Sequence, residues 1–116
     1  MIKFPEVAPG MGPVVMLNLV KFKDRKIYME EYLPAFNTVT KELGVAGVNV
    51  RFLGEVVGNI IADESDEWDE VLLVEYPSAE VFRKIAESEL YQTIANPLRI
   101  AGTAEIKLIM TRSIDC

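Results

Sequence analysis

The sequence contains no histidine and a single cysteine, Cys116. Lack of histidine removes His-ligated haem, most catalytic zinc sites, Ser-His-Asp and Cys-His nucleophile systems, and histidine acid/base catalysis together. A lone Cys116 can form no internal disulfide and has no neighbour with which to build a metal site, so a reducing, cytoplasmic setting is the plain expectation. Long hydrophobic runs are missing as well. The first apolar run, Val14 to Val20, is interrupted by Asn18 and preceded by Pro5, Pro9, Gly10, Gly12 and Pro13. That is an extended arm over residues 1–13 leading into a strand, and neither a signal peptide nor a membrane span.

Positive charge is also in short supply, with 12 Lys and Arg against 18 Asp and Glu and a net charge of -6. No basic stripe appears, which argues against nucleic acid and anionic membranes as partners. The excess is local: Asp63, Glu64, Asp66, Glu67, Asp69 and Glu70 sit in one stretch without a basic residue, and the remaining chain is formally neutral. Read as a calcium loop, this stretch has Trp68 where the EF-hand needs glycine and Val74 where it needs glutamate. It is expected to be a solvated hairpin loop that holds no metal.

What the 116 residues do contain is 50% apolar and 26% charged side chains, the balance of one folded domain, placed at 14–112 with a short tail at 113–116. VVMLNLVKF from Val14 to Phe22 predicts a first strand, and Asp24 is a fitting helix cap after it. Tyr28, Tyr32, Phe36, Val39 and Leu43 then recur at helical spacing up to Gly44, with Pro34 expected to kink the helix at its middle. Val48 to Ile61 reads as a long second strand with a bulge or bend at Gly54 or Gly58, and EVLLVEY, Glu70 to Tyr76, as a third. Ser78 caps a helix striped by Val81, Phe82 and Ile85. Ser88 opens a further short helical stretch through Ile94, broken at Asn96-Pro97, and Glu105 to Thr111 is the fourth strand.

The order is β-α-β-β-α-β, the α+β, ferredoxin-like arrangement in which strands one and three are the central pair of a four-stranded antiparallel sheet. Their nearly continuous apolar runs suit burial on both faces. Two helices cover one face only, so the other face calls for a second copy of the chain and a homodimer.

Four segments resemble a known family: GPVVMLNLVKF at Gly12 to Phe22, WDEVLLVEYPSAEVF at Trp68 to Phe82, SELYQ at Ser88 to Gln92, and the Arg-Ile-Ala-Gly that starts at Arg99. Together they resemble the domain-of-unknown-function family 1330 of the dimeric α+β barrel superfamily, over residues 12–112. The resemblance implies a homodimer whose two sheets enclose a barrel, and brings no established reaction. Its wider superfamily includes cofactor-independent monooxygenases, lactone isomerases, haem-dependent enzymes and plain ligand binders. The haem members use a histidine that this chain lacks, and no cofactor is expected.

Strand alternation predicts that Val15, Leu17 and Leu19 face the helices while Met16, Asn18 and Val20 face the barrel interior. On the third strand it gives Leu72, Val74 and Tyr76 to the helices, and Val71, Leu73 and Glu75 to the interior. Asn18 and Glu75 are thus expected on one inner face, with Arg51 reaching Glu75 from the second strand. Glu75 would be the general acid or base and Asn18 an oxyanion donor. Arg51, Trp68 as a lid, Tyr91 and the anion-clamping Arg99 would bind ligand. Bland readings stand beside these: an Arg51–Glu75 structural ion pair, an interface amide at Asn18, and core roles for Tyr28, Tyr32 and Tyr91. Two functions therefore stand open. One is a homodimeric barrel binding a small organic molecule, acting on it as a cofactor-independent monooxygenase or isomerase. The other is a non-catalytic binding or assembly module whose polar residues are structural. A cavity beside Glu75 would favour the first.

Overall fold

A computed structural model describes residues 3–7 and 10–114, so the expectations about Pro9 and Cys116 fall outside the described residues. The sheet is four-stranded and antiparallel in the order β2-β3-β1-β4, with β1 at Val14–Phe22, β2 at Asn49–Glu55, β3 at Glu70–Tyr76 and β4 at Thr103–Thr111. β1 and β3 are central and the edges are β2 and β4, as the apolar runs require. No helix among the described residues is long and apolar enough to cross a membrane.

Between β1 and β2 the chain forms α1 (Arg25–Ile27), a π turn (Tyr28–Tyr32) and α2 (Leu33–Glu42). Asp24 caps the start, accepting a hydrogen bond from the Ile27 N–H at 3.2 Å. Between β3 and β4 it forms α3 (Ala79–Glu87), a second π turn (Tyr91–Ala95) and α4 (Asn96–Gly102). Ser78 caps α3 through the Val81 N–H.

Both π turns have the same cause. Pro34 and Pro97 lack an N–H, so an α-helical bond to the carbonyl four residues back cannot form at either place. The residue before each proline then bonds one residue further back, Leu33 to the Tyr28 carbonyl and Asn96 to the Tyr91 carbonyl. The expected break at Asn96-Pro97 is corrected accordingly: the π turn absorbs the proline and the helix runs on to Gly102. There the chains pass closely. The Gly102 carbonyl accepts hydrogen bonds from the Lys23 and Asp24 N–H groups, and a Cβ at Gly102 would lie 2.9 Å from the Tyr28 nitrogen.

The buried core lies between sheet and helices and includes Val14, Met16, Val20, Tyr28, Val39, Leu72, Val74, Tyr76, Phe82 and Ile85. This overturns the expected faces of β1. Met16, Asn18 and Val20 face the helices, since they pair with Val74, Leu72 and Glu70, while Val15, Leu17 and Leu19 lie on the open face opposite Glu75, Leu73 and Val71. The β3 faces are as expected. β2 is shorter than Val48 to Ile61: it ends at Glu55, and Val57, Ile60 and Ile61 are almost fully exposed beyond it. Its irregularity falls at Arg51, between Val50 and Phe52, and neither at Gly54 nor at Gly58. The extra residue reverses the alternation, so Leu53 turns to the helix side opposite Leu72, not to the side of Arg51.

Candidate functional site

Helices and sheet do not close completely on each other. Two neighbouring cavities of about 210 and 650 Å³ lie between them and share Asn18, Tyr32, Phe36 and Tyr76 in their walls. The smaller reaches toward β2 and is bounded by Val48, Val50 and Leu53. The larger runs toward β4 and is bounded by Met16, Ile106, Leu108 and Met110, with Tyr91 and Arg99 from the second helical stretch and Phe4 from the arm. The larger alone has the size of a small-molecule site, and the walls of both are chiefly apolar with a few convergent polar groups.

Asn18 stands on the floor. Its Nδ2 donates to the Leu72 carbonyl at 3.1 Å and to the Met16 carbonyl at 3.3 Å. Two carbonyl acceptors require the amide nitrogen there, which leaves Oδ1 for a ligand. The expected donor to an oxyanion is therefore corrected: Asn18 offers the cleft an acceptor.

The wall is aromatic. The Tyr32 and Tyr91 hydroxyls are 2.9 Å apart and buried, their rings meet edge to face, and Phe36 packs edge to face on Tyr91. Tyr91 owes its position to Ser88, whose hydroxyl accepts its N–H at 3.1 Å, and to the π turn that starts there. Burial pushes the Tyr32 hydroxyl far above the ordinary phenol range, with the Tyr91 hydroxyl adding to the effect. Burial does the same to Tyr76 and, with help from the Glu70 charge, to Tyr28. These phenols stay protonated at any physiological pH and serve as neutral hydrogen-bonding groups, not as bases.

Glu75 and Arg51 are elsewhere. They lie on the open face of the sheet, where the Arg51 guanidinium donates to Glu75 Oε1 from Nη2 at 2.7 Å and from Nε at 3.2 Å. The arginine side chain is 59% exposed, so this is a solvent-facing pair. Neither residue lines the cavities, and Asn18 and Glu75 do not share a face. The space sought beside Glu75 is on the opposite side of the sheet.

Trp68 lines neither cavity. It lies half-buried by the open face, with Lys21 Nζ 5.3 Å and Lys107 Nζ 5.5 Å from its ring centre and its Nε1 donating to Asp66 at 3.3 Å. Of the six candidates, the structure brings together Asn18, Tyr91 and Arg99 at the cleft, and Arg51 with Glu75 behind it.

Three further residues of the site carry little signal in the sequence. The sequence alone gives Tyr32 only a core role, though its hydroxyl pairs with Tyr91 at the cleft wall. Tyr76 lines both cavities, and strand alternation with Leu72 and Val74 already carried that signal. Glu70, the first residue of β3, shares the same alternation and is 4% exposed, with Oε1 lacking a hydrogen-bond partner among the described residues. Burial raises its pKa, the Arg25 charge opposes that and Asp69 adds to it.

No protein-family model matches this chain, and no curated protein matches it. Among solved structures, a protein of unknown function from Rhodopseudomonas palustris is 26% identical, with a TM-score of 0.77 over 90% of this chain and 85% of that one. A dabb family protein with a ferredoxin-like fold from Mesorhizobium loti has a TM-score of 0.59 at 9% identity, over 90% of this chain and all of that one. An ethyl tert-butyl ether d (ethd) family protein from Bacillus halodurans has a TM-score of 0.56 at 10% identity, over 90% of this chain and 100% of that one. The chain thus has the ferredoxin-like α+β fold, similar to that of proteins whose own functions are unknown or named only by family.

Proposed function

We propose that this protein binds a small, largely apolar organic molecule in the cleft between sheet and helices. The carrying observation is that both cavities are lined by Asn18, Tyr32, Phe36 and Tyr76, where apolar walls surround a few polar atoms. Asn18 Oδ1 would accept from the ligand, while the tyrosine hydroxyls can donate and accept. A molecule with both kinds of group beside an apolar body suits them. Because the ionisable pair Arg51–Glu75 lies behind the sheet, the binding reading is favoured over general-base catalysis by Glu75. A monooxygenase or isomerase built on this cleft would have to act on a substrate that ionises itself, with the phenols and Asn18 holding it.

The same proposal includes a homodimer. Leu17, Leu19, Val71, Leu73 and Ile109 form the centre of the open face, and Ile109 is 46% exposed. An apolar sheet face with a rim of Lys21–Glu105 and Arg51–Glu75 pairs suits a second copy of itself. It also includes membership of the domain-of-unknown-function family 1330, which rests on the segments around Val14, Trp68, Ser88 and Arg99.

The neutral fluorescent dye N-phenylnaphthylamine tests the site. Saturable binding of one dye per chain is expected, abolished when Ile106→Trp fills the larger cavity and unchanged in Glu75→Gln. Absence of saturable binding, or loss in Glu75→Gln with retention in Ile106→Trp, would reject it. Light scattering at micromolar concentration tests the assembly, and a monomeric mass would reject the dimer.

A further inference from the structure

The chain is acidic as a whole, with a net charge of -6, yet the larger cavity is lined by no carboxylate among the described residues. Its charged wall residues are two cations, Arg99 from α4 and Lys3 from the arm at its edge. Three ion pairs form among the described residues, Lys21–Glu105, Arg51–Glu75 and Arg83–Glu87, and Arg99 belongs to none of them.

What holds Arg99 is neutral. Its Nε and Nη2 donate to Asn96 Oδ1 at 3.1 and 2.8 Å, so the guanidinium is fixed in orientation while its charge meets no counter-ion among the described residues. Asn96 is steadied in turn by donating to Gln92 Oε1 at 3.3 Å. The backbone adds to this arrangement. In an unbroken α-helix, residues eight apart such as Tyr91 and Arg99 would stand about 80° apart around the axis. The extra residue of the π turn reduces that to about 20°, which brings the phenol and the guanidinium onto one side of the helix. Both line the same cavity.

A part-buried, oriented and unneutralised guanidinium beside a phenol pair and a long apolar wall matches a carboxylate on an apolar body. We infer that the larger cavity takes an amphipathic organic anion, its carboxylate held by Arg99 with Lys3 at the entrance and its apolar body lying along Met16, Ile106, Leu108 and Met110. The inference rests on the cleft-binding reading above and narrows it to an anionic ligand class. The free Nη1 and the outward-facing donors of the fork reach the carboxylate, and the Tyr91 or Tyr32 hydroxyl supplies a second, neutral contact. A neutral ligand of the same shape would leave the guanidinium desolvated without compensation.

The test displaces bound N-phenylnaphthylamine with octanoate and, separately, with octanamide, at pH 7.5 and low salt. Octanoate is expected to compete at least about tenfold more tightly than octanamide in the wild-type protein. In Arg99→Gln, with each competitor measured against that variant's own dye affinity, the two should compete within about twofold of each other. Arg99→Lys, which keeps the charge and loses the fork, should fall between, and together with the wild-type ratio it decides the matter if Arg99→Gln does not fold. Equal competition by acid and amide in the wild-type protein would overturn the anion inference and leave the cleft reading intact. A wild-type protein that binds the dye but neither competitor would also overturn it, and one that binds no dye would overturn both.

Discussion

On the helix side of the sheet, Asn18, Tyr32, Tyr76 and Tyr91 border open space; on the other side, Glu75 and Arg51 hold each other at 2.7 Å in solvent. The sheet is common to both sides, and Glu75 and Tyr76 are neighbours in sequence. What separates them is what packs above. The helices, each carrying a π turn forced by a proline, cover their face with bulky tyrosines and phenylalanines that leave a cleft, and the polar atoms in it keep bonding capacity in hand. The open face has no covering layer among the described residues. At its rim Arg51 neutralises Glu75 and Lys21 neutralises Glu105, and Phe52 lies over Gly54 in space that a Cβ would occupy. Polar residues that are paired in water stabilise little and bind little. Those that line an apolar recess are the ones poised to recognise a ligand.

This contrast is broken most severely from the helix side. Ile85→Ala, at a fully buried core position, is expected to cost about 2–5 kcal/mol in urea unfolding. Leu73→Glu, by contrast, should leave the far-ultraviolet circular dichroism unchanged and yield a monomer by sedimentation, because it places charge in the proposed dimer face. Retention of the dimer in that variant would remove the open face from the interface. Tyr32→Phe deletes one hydroxyl of the buried pair and should cost about 1 kcal/mol of stability. The smallest effect is that of Glu75→Gln, within about 1 kcal/mol, since its partner is solvent-facing.

Glu70 adds a pH signature to the helix side. Its carboxyl pKa is raised in the folded protein by burial. The unfolded chain therefore ionises at lower pH than the folded one, and the folded state loses stability as pH rises from the ordinary glutamate pKa through the raised value. Glu70→Gln should accordingly raise Tm at pH 7, and the gain should disappear below about pH 4, where both forms are protonated. A gain that persisted unchanged at acid pH would assign it to packing and not to ionisation.

Much of this architecture is written in the order of the residues. β1 and β3 span the segments their sequences predict, Val14–Phe22 and Glu70–Tyr76, Asp24 and Ser78 cap the helices, and the central strands are those with nearly continuous apolar runs. The faces were another matter. VVMLNLV is apolar at both parities, so alternation alone cannot say which side meets the helices, and Asn18, expected beside Glu75, belongs on the opposite face. On β2, a single extra residue at Arg51 reversed the alternation for everything after it. Strand β2 also stopped short because Val57, Ile60 and Ile61 have β-favouring side chains but no partner strand to pair with. The π turns were legible only in part, as prolines expected to kink or break a helix. Their consequence for Tyr91 and Arg99 depends on a backbone adjustment that spacing does not reveal.

The central claim is that recognition takes place on the helix face. Amide and side-chain shifts of the nitrogen-labelled protein titrated with octanoate test it most directly. The account predicts changes at the Asn18 side-chain amide, Tyr91 and Arg99, with Arg51, Leu73 and Glu75 unmoved. Changes centred on Arg51 and Glu75, with the Asn18 amide silent, would contradict it.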